Sequence, residues 1–176
     1  MNTVYYHECA SPIGTLLLVS NGKALTGLYM VDHQDGPQPR ADWQRDERKF
    51  GVVCDELAAY FGGALHDFSV ALEPHGTAFQ KQVWNELRRI PYGETISYGE
   101  LARRIGQPGA SRAVGRANGQ NPISIIIPCH RVIGSNGRLT GYGGGIERKK
   151  FLLEFEAETL AKRSRDAKSR VSTSPY

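Results

Sequence analysis

A cysteine followed directly by a histidine is the residue pair in this chain best suited to nucleophilic chemistry. Cys129 and His130 lie in the stretch SIIIPCHRVIG, which runs from Ser124 to Gly134. A thiolate is a strong nucleophile, and a nearby histidine, arginine or helix N-terminus favours its formation at neutral pH. The stretch therefore allows three interpretations: a buried structural thiol, a nucleophile that turns over, and a thiol that reacts once and stays modified.

An isoleucine-rich run positions this pair. Asn121-Pro122 ends the segment before it, and the run that follows predicts a buried extended chain ending at Cys129: Ile123, Ile125, Ile126 and Ile127. Neighbouring side chains of an extended chain point to opposite faces, so Cys129 and His130 are not expected to form a direct ion pair. A bridging water or a local bend would be needed to connect them.

The composition indicates a soluble globular protein. The chain has 176 residues, of which 40% are hydrophobic and 23% charged. No apolar run approaches the roughly 20 residues that span a bilayer, and we identify no signal peptide. Cys9, Cys54 and Cys129 form no C-x-x-C pair, so neither a disulfide framework nor a zinc site is indicated. We therefore expect a reducing, cytoplasmic setting and no membrane partner.

Charge is unevenly distributed along the chain. Residues 1–75 carry a net charge of −5, residues 76–122 carry +4, and residues 123–176 carry +5. A basic part beside an acidic part is typical of a polyanion-binding domain joined to a support domain. Half of the basic residues after residue 122 lie in the polar end AKRSRDAKSRVSTSPY. We predict a basic, disordered tail over residues 161–176.

The first 75 residues contain signals for strands and one helix. SPIGTLLLVSNGKALTGLYM predicts a β-hairpin that turns at Ser20-Asn21-Gly22, and the segment from Asp32 to Asp46 reads as a surface loop. Apolar residues at helical spacing then predict a helix from Phe50 to Phe61, ended by Gly62-Gly63 and with Cys54 beside its buried face. DFSVALEP, residues 67–74, predicts a strand, and a boundary follows it.

Three helices are predicted between residues 76 and 119. Capping-box spacing starts the first at Thr77 and Gln80 and the second at Ser97 and Glu100. The third corresponds to ASRAVGRANG, which begins at Ala110. Two short helices joined by a turn rich in glycine and proline are typical of a helix-turn-helix.

The third helix is unusually thin. Arg112 and Arg116 are four residues apart and share a face, while most of the other side chains are small. A thin basic helix can lie against a phosphate backbone or in a narrow groove. It lacks the paired amide side chains that read bases in the major groove, apart from Asn118 near its end.

Taken in order, these motifs resemble those of one DNA-repair family. The motifs are SYGELARRIG, SRAVGRANG, NP, IPCHRVIG and GYGGG, and the match around them extends from about Thr77 to Ala157; in this setting PCHR is a specific signature. The region is similar to the O6-alkylguanine-DNA alkyltransferases, or methylated-DNA–protein-cysteine methyltransferases. The resemblance implies an α/β, ribonuclease-H-like N-terminal domain over residues 1–75. It also implies a mainly helical domain over residues 76–160, with a helix-turn-helix and an active-site cysteine loop.

The resemblance also implies roles for single residues. Cys129 corresponds to the alkyl acceptor, His130 to the base that takes its proton through a water, and Glu156 to the carboxylate that orients this histidine. Glu154 and Glu158 lie close enough in sequence to compete for that last role. Tyr98 corresponds to the tyrosine that helps to rotate the nucleotide and donates to the flipped guanine, Arg112 to the arginine that enters the duplex, and Asn121 to a hinge.

Further positions follow from the same resemblance. Besides Arg112 and Tyr98, the DNA-binding residues implied are Ser111, Ala113, Gly115, Arg116 and Ala117. The implied pocket residues are Tyr142 and Gly143 of a lid, together with Val132, Ser124 and Pro128. The implied function is repair of O6-alkylguanine, and also of O4-alkylthymine, in double-stranded DNA by a monomer that is consumed in one transfer. No cofactor is expected.

Two departures from the family pattern carry expectations. Some relatives hold a structural zinc ion in the N-terminal domain, but Asn21 and Thr26 occupy ligand positions here and cannot replace the ligands, so we expect no metal. Ser124 stands where some relatives have proline, which bears on the size of alkyl group that fits.

Proteins of other classes fit the sequence less well. A damage sensor similar to the alkyltransferase-like proteins would lack the acceptor cysteine. A transcription factor would need base-reading side chains, and a cysteine hydrolase would need an oxyanion hole, for which we find no sequence signal.

Overall fold

A four-stranded sheet and one helix form the first part of the chain. The computed structural model describes residues 2–32 and 36–172. The strands are β1 (Tyr5–Cys9), β2 (Leu16–Ser20), β3 (Leu25–Met30) and β4 (Gln44–Arg45). Their order is β3-β2-β1-β4, with β4 parallel to β1 and the other pairs antiparallel. A 3-10 turn (Glu47–Phe50) leads into helix α1 (Gly51–Phe61).

The structure confirms the predicted hairpin and helix and corrects two predictions in this part. The segment between Asp32 and Asp46, predicted as a loop, contains the short strand β4; residues 33–35 of that prediction lie outside the described residues. The strand predicted over residues 67–74 is reduced to one bridge between Leu72 and Leu25. The other apolar residues of this segment contribute side-chain packing and not strand pairing. The Phe68 ring, for example, lies 5.6 Å from the ring of Tyr60.

Helices dominate the second part. The elements are α2 (Ala78–Leu87), β5 (Ile96–Ser97), α3 (Tyr98–Arg104), α4 (Ser111–Gly119), a 3-10 turn (Cys129–Arg131), β6 (Val132–Ile133) and α5 (Ile146–Ser172). The two short strands β5 and β6 pair in parallel. The predicted helix-turn-helix is therefore present as α3 and α4.

Local caps explain where these helices begin. The Thr77 side chain accepts from the Gln80 amide, and the Gln80 side chain accepts from the Thr77 amide, which completes the predicted capping box of α2. Ser97 caps α3 by accepting from the Glu100 amide. The buried indole of Trp84 then donates to the Ala117 carbonyl over 2.8 Å, which ties α4 to α2.

The edge strand of the sheet holds the segment that leads to the cysteine. Leu28 of β3 donates its amide to the Pro122 carbonyl over 2.9 Å and accepts from the Ser124 amide over 3.0 Å. The resulting bridge joins Leu28 to Ile123, which is fully buried. The N-terminal part therefore fixes the start of the cysteine loop through its backbone.

Helix α5 is longer than the sequence indicated. It continues to Ser172, so the tail predicted as disordered is helical from residue 161 to Ser172; residues 173–176 of that prediction lie outside the described residues. Alanine, lysine and arginine favour helix, and basic side chains near a helix C-terminus interact favourably with its dipole. Arg163 also donates to the carbonyls of Gly63 and Ala64 just after α1. None of the helices in the described ranges is long and apolar enough to cross a bilayer.

Candidate active site

Cys129 lies in a bent, buried loop. Its side chain is 5% exposed, and the chain turns at Pro128 into a 3-10 turn instead of staying extended. Ile125, in the segment that leads to this loop, has a strained backbone: its φ is 71°, which is unusual for a β-branched residue. Burial raises the pKa of the Cys129 thiol, an effect that the nearby Asn121 and Lys149 partly offset. The thiol is therefore protonated at neutral pH and requires a base.

His130 is a neutral base held in one orientation. Its Nε2 lies 2.9 Å from Oε1 of Glu156, and both side chains are fully buried. Burial lowers the pKa of His130, although Glu156 opposes this effect. A neutral imidazole that donates from Nε2 to a carboxylate has its lone pair on Nδ1. That Nδ1 atom is buried and has no hydrogen-bond partner among the described residues, so it is free to accept a proton.

Glu156 is the centre of a buried polar network. Arg131 donates to both carboxylate oxygens, with Nη2 2.7 Å from Oε1 and Nε 3.0 Å from Oε2. The Tyr60 hydroxyl of α1 donates to Oε1 over 2.9 Å. Burial acts to raise the pKa of Glu156, but the contacts with His130 and Arg131 hold it well below the usual range. Glu156 therefore stays ionised, and Arg131 supplies the balancing charge while His130 is neutral.

Two asparagines shape the loop around the cysteine. The Asn121 side chain donates to the Ile127 carbonyl over 2.8 Å and accepts from the Ile123 amide over 3.0 Å. Asn118, at the end of α4, donates to the carbonyl of Cys129 over 3.3 Å. The helix that carries the arginines is thus connected to the reactive residue by a hydrogen bond.

The glycine-rich segment over residues 134–145 contains Tyr142 and Gly143, the two residues predicted to form a lid. Tyr142 of this segment is buried beside Cys129, and its hydroxyl lies near Ser124. The Thr140 carbonyl accepts from the Tyr98 hydroxyl over 3.1 Å and from Nζ of Lys149 over 3.0 Å. The segment is therefore held to both α3 and α5. Two other predicted pocket residues, Val132 and Pro128, are buried in the cysteine loop, and Gly143 is half-buried in the glycine-rich segment.

Helix α4 presents the predicted DNA-binding face. Arg112, Ala113 and Arg116 are exposed, and Ser111 is half-buried. Gly115 is half-buried and faces Tyr98 of α3; a β-carbon added there would make an ordinary van der Waals contact with the Tyr98 ring at 3.5 Å. Ala117 is different: it is 2% exposed and packs towards α2, so the structure does not support the prediction that it contacts DNA.

Family models match both parts of the chain. The model for the ribonuclease-like domain of 6-O-methylguanine DNA methyltransferase matches residues 4–74, and the model for its DNA-binding domain matches residues 78–158. The chain belongs to the 6-O-methylguanine DNA methyltransferase family. The resemblance inferred from its motifs is thus confirmed, as is the two-domain fold.

Relatives and solved structures agree with this assignment. A methylated-DNA–protein-cysteine methyltransferase of Mycobacterium bovis is 55% identical over 153 residues, which span 87% of this chain and 92% of the relative. One from Methanosarcina acetivorans is 50% identical and spans 87% and 98%. The crystal structure of the Mycobacterium tuberculosis O6-methylguanine methyltransferase is 54% identical, with a TM-score of 0.83 and coverage of 89% and 94%. The M. tuberculosis OGT in complex with DNA gives the same TM-score and identity, covering 88% and 94%.

In this methyltransferase, burial separates Glu156 from its two neighbours. Glu154 and Glu158 are exposed, whereas Glu156 is fully buried against His130.

Three residues of the site were not predicted from the sequence. Arg131 lies within the PCHR signature, which could have drawn attention to it. The buried Lys149 and Tyr60 gave no local signal, since their contacts join distant parts of the chain.

Asn21 and Thr26 occupy the positions at which some relatives are expected to bind zinc, and in this methyltransferase they lie beside a cavity. The Asn21 side chain donates to Glu73, and Asn21 and Thr26 line the same cavity of about 390 Å³. Within residues 2–32 and 36–172, no three His, Cys, Asp or Glu side chains are grouped so that they could hold a metal ion.

Proposed function

We propose that this chain repairs O6-alkylguanine, and also O4-alkylthymine, in double-stranded DNA by moving the alkyl group to Cys129. One observation carries the proposal: a buried cysteine is followed by a neutral histidine whose Nε2–H is fixed by a buried glutamate, in a chain of this family. The names of the relatives describe transfer from methylated DNA to a protein cysteine. The same chemistry fits the geometry here.

The reaction begins with proton transfer. His130 takes the proton of Cys129 on Nδ1 through a bridging water, and Glu156 stabilises the imidazolium that forms. The thiolate then attacks the alkyl carbon, a C–S bond forms, and the C–O bond breaks with its electron pair going to the guanine oxygen. The guanine anion then takes up a proton from solvent and the His130 imidazolium releases one, so that both groups end neutral. The product is a thioether with no ready route back, so one chain performs one transfer.

Base flipping makes the alkyl group accessible. The group on O6 faces the duplex interior, and extrusion of the nucleotide costs a few kcal/mol. We propose that the exposed Arg112 fills the gap while neighbouring residues of α4, among them Ser111, Ala113, Gly115 and Arg116, lie along the backbone. Tyr98 donates to the extruded guanine. Because its hydroxyl donates to the Thr140 carbonyl in the unbound chain, that bond has to be exchanged.

The setting follows from the same chemistry. A single-use thiol is preserved in a reducing compartment that holds DNA, so we propose that the chain acts in the cytoplasm as a monomer. We further propose that residues 76–160 carry DNA binding and transfer, with residues 1–75 as their support.

Mass spectrometry tests the proposal directly. Incubation with a duplex that contains O6-methylguanine is expected to add one methyl group per chain, located on Cys129 after proteolysis. A label on Cys9 or Cys54, or restored guanine with no label on the chain, would overturn it.

Variants of Arg112 distinguish a role in base flipping from general electrostatic attraction to DNA. Arg112→Ala and Arg112→Lys should both repair duplex DNA on the order of a hundredfold more slowly, because lysine lacks the planar guanidinium that fills the gap. Both should react with free O6-alkylguanine at near-parental rates, since the free base needs no extrusion. Single-turnover kinetics on the two substrates measure the difference.

Arg116→Ala is the matched control for Arg112. It should weaken binding to all DNA alike and reduce the salt slope by about one, as expected for one lost phosphate contact. Equal losses on duplex and free base for the Arg112 variants would contradict the flipping role.

The pH dependence of transfer reports the base. His130 accepts a proton only while it is neutral, and burial lowers its pKa. The rate with free O6-alkylguanine should therefore stay constant as the pH falls to about 6.5, the ordinary histidine pKa, and decline only below it. Stopped-flow rates from about pH 5 to 8.5, with circular dichroism to check folding, give the profile. A decline that begins above the ordinary value would contradict a neutral, buried His130.

A further inference from the structure

Two cysteines outside the active site face each other across the first part of the chain. Residues two apart on a strand share a face, so Tyr5, His7 and Cys9 of β1 point the same way. Lys49 lies over the ring of Tyr5 at 4.9 Å, and the ring of Phe50 stacks on that of His7 at 6.1 Å.

The same register places Cys9 and Cys54 on facing sides of β1 and α1. Cys54 is one helical turn after Phe50 and so lies on the same side of α1. The Cys9 thiol is near enough to Cys54 to add to the effect of burial on the Cys54 pKa. Both cysteines are free and half-buried, and both pack against the core. The Cys9–Cys54 pair therefore rests on the fold of two elements and not on a chance surface contact.

We infer that Cys9 and Cys54 are a site of reversible oxidation, at which a hydroperoxide converts the two thiols into a disulfide. The Cys9 sulfur attacks the peroxide oxygen, the O–O bond breaks, and a sulfenic acid and water (or an alcohol) form. The Cys54 sulfur then attacks the Cys9 sulfur, the S–O bond breaks, and a second water leaves with the thiol proton. The peroxide gains two electrons and the thiols lose two.

The two thiols have different parts in this sequence. Burial, and then the neighbouring Cys9, raise the pKa of Cys54 to about 12, so Cys54 forms a thiolate less readily and does not make the first attack on the peroxide. Cys9 carries out the first attack. Its Sγ donates to the Ala10 carbonyl over a long distance of 3.6 Å, a contact weak enough to leave the sulfur available.

The bond would stabilise the frame of the active site without using the acceptor. It would close a loop of roughly 45 residues between β1 and α1 and thereby restrict the unfolded chain. Helix α1 also carries Tyr60, which donates to Glu156 behind His130. Oxidation at this site would therefore reinforce the support of the catalytic pair while Cys129 stays free.

The experiment uses the full chain, first reduced and then exposed to limiting hydrogen peroxide. After alkylation of the remaining thiols, proteolysis without reductant should yield one peptide pair that joins Cys9 to Cys54, and dithiothreitol should release it. The thermal midpoint should rise by roughly 5–10 °C on oxidation and return on reduction. The oxidised chain should still accept one methyl group on Cys129.

Variants in which one cysteine is replaced by serine supply the controls. Cys9→Ser and Cys54→Ser should lose both the cross-link and the rise in midpoint yet still accept one methyl group, whereas Cys129→Ser should keep the cross-link. If one serine variant folds poorly, the other and the peptide map of the parent give the same test. Separate sulfinic acids on Cys9 and Cys54, or a cross-link to Cys129, would overturn the inference.

Discussion

Cys129→Ser is expected to abolish alkyl transfer while affinity for DNA stays within about twofold of the parent chain, because phosphate contacts dominate that affinity. The substitution replaces a soft sulfur nucleophile by a hydroxyl, which His130 cannot ionise to a useful extent. Cys129 is 5% exposed and lies inside the loop, so replacing its thiol leaves the open face of α4 unchanged. The expected result is a chain that binds damaged duplex and never repairs it.

Two measurements check this outcome on the same preparation. Intact mass after long incubation with alkylated duplex should show no added alkyl group, and a fluorescence titration should give a parental dissociation constant. Cys54→Ser is the matched control, since it removes a thiol outside the site and should accept one group per chain. Slow transfer that persists in Cys129→Ser, located on any residue, would refute the assignment of the acceptor.

Local signals allowed the sequence to predict the second part of the fold well. Both caps depend on residues three apart, Thr77 with Gln80 and Ser97 with Glu100, and such contacts form within one turn whatever the rest of the chain does. The tail was predicted wrongly over residues 161–172 for a related reason. Its polarity indicated disorder, but its helix-forming residues continue α5, and Arg163 docks on the end of α1.

Contacts between residues far apart in the sequence could not be predicted from local sequence patterns. No feature near Leu28 indicates that its backbone holds the cysteine loop at Pro122 and Ser124. The same limit applies to Tyr60, which is 96 residues from the glutamate it contacts. The resemblance proposed Glu156 but could not separate it from Glu154 and Glu158, because only the fold determines which of the three is buried.

Glu156→Gln is expected to produce the second largest effect, on rate and on stability together. A glutamine oxygen can still accept from His130 Nε2, but it carries no charge to stabilise the imidazolium, so transfer should slow on the order of a hundredfold. The glutamine also leaves Arg131 as a buried charge without its carboxylate. Breaking a buried pair in this way costs about 3–5 kcal/mol of the free energy of unfolding. Urea denaturation and single-turnover kinetics with the free base measure the two losses separately.

Glu154→Gln is the matched control on the same helix. Its carboxylate is exposed and makes only a long ion pair of 4.0 Å with Lys150. The free energy of unfolding should therefore change by less than about 0.5 kcal/mol, and the transfer rate should not change.

The acid dependence of stability provides an independent check on Glu156. The pKa of Glu156 is held well below its unfolded value, so its stabilisation is present above about pH 4.3 and is lost as the pH falls towards the folded value. The parent should therefore lose stability more steeply than Glu156→Gln below about pH 5. If the free energy of unfolding of the two chains fell equally steeply with decreasing pH, Glu156 would not be the ionised centre of this network.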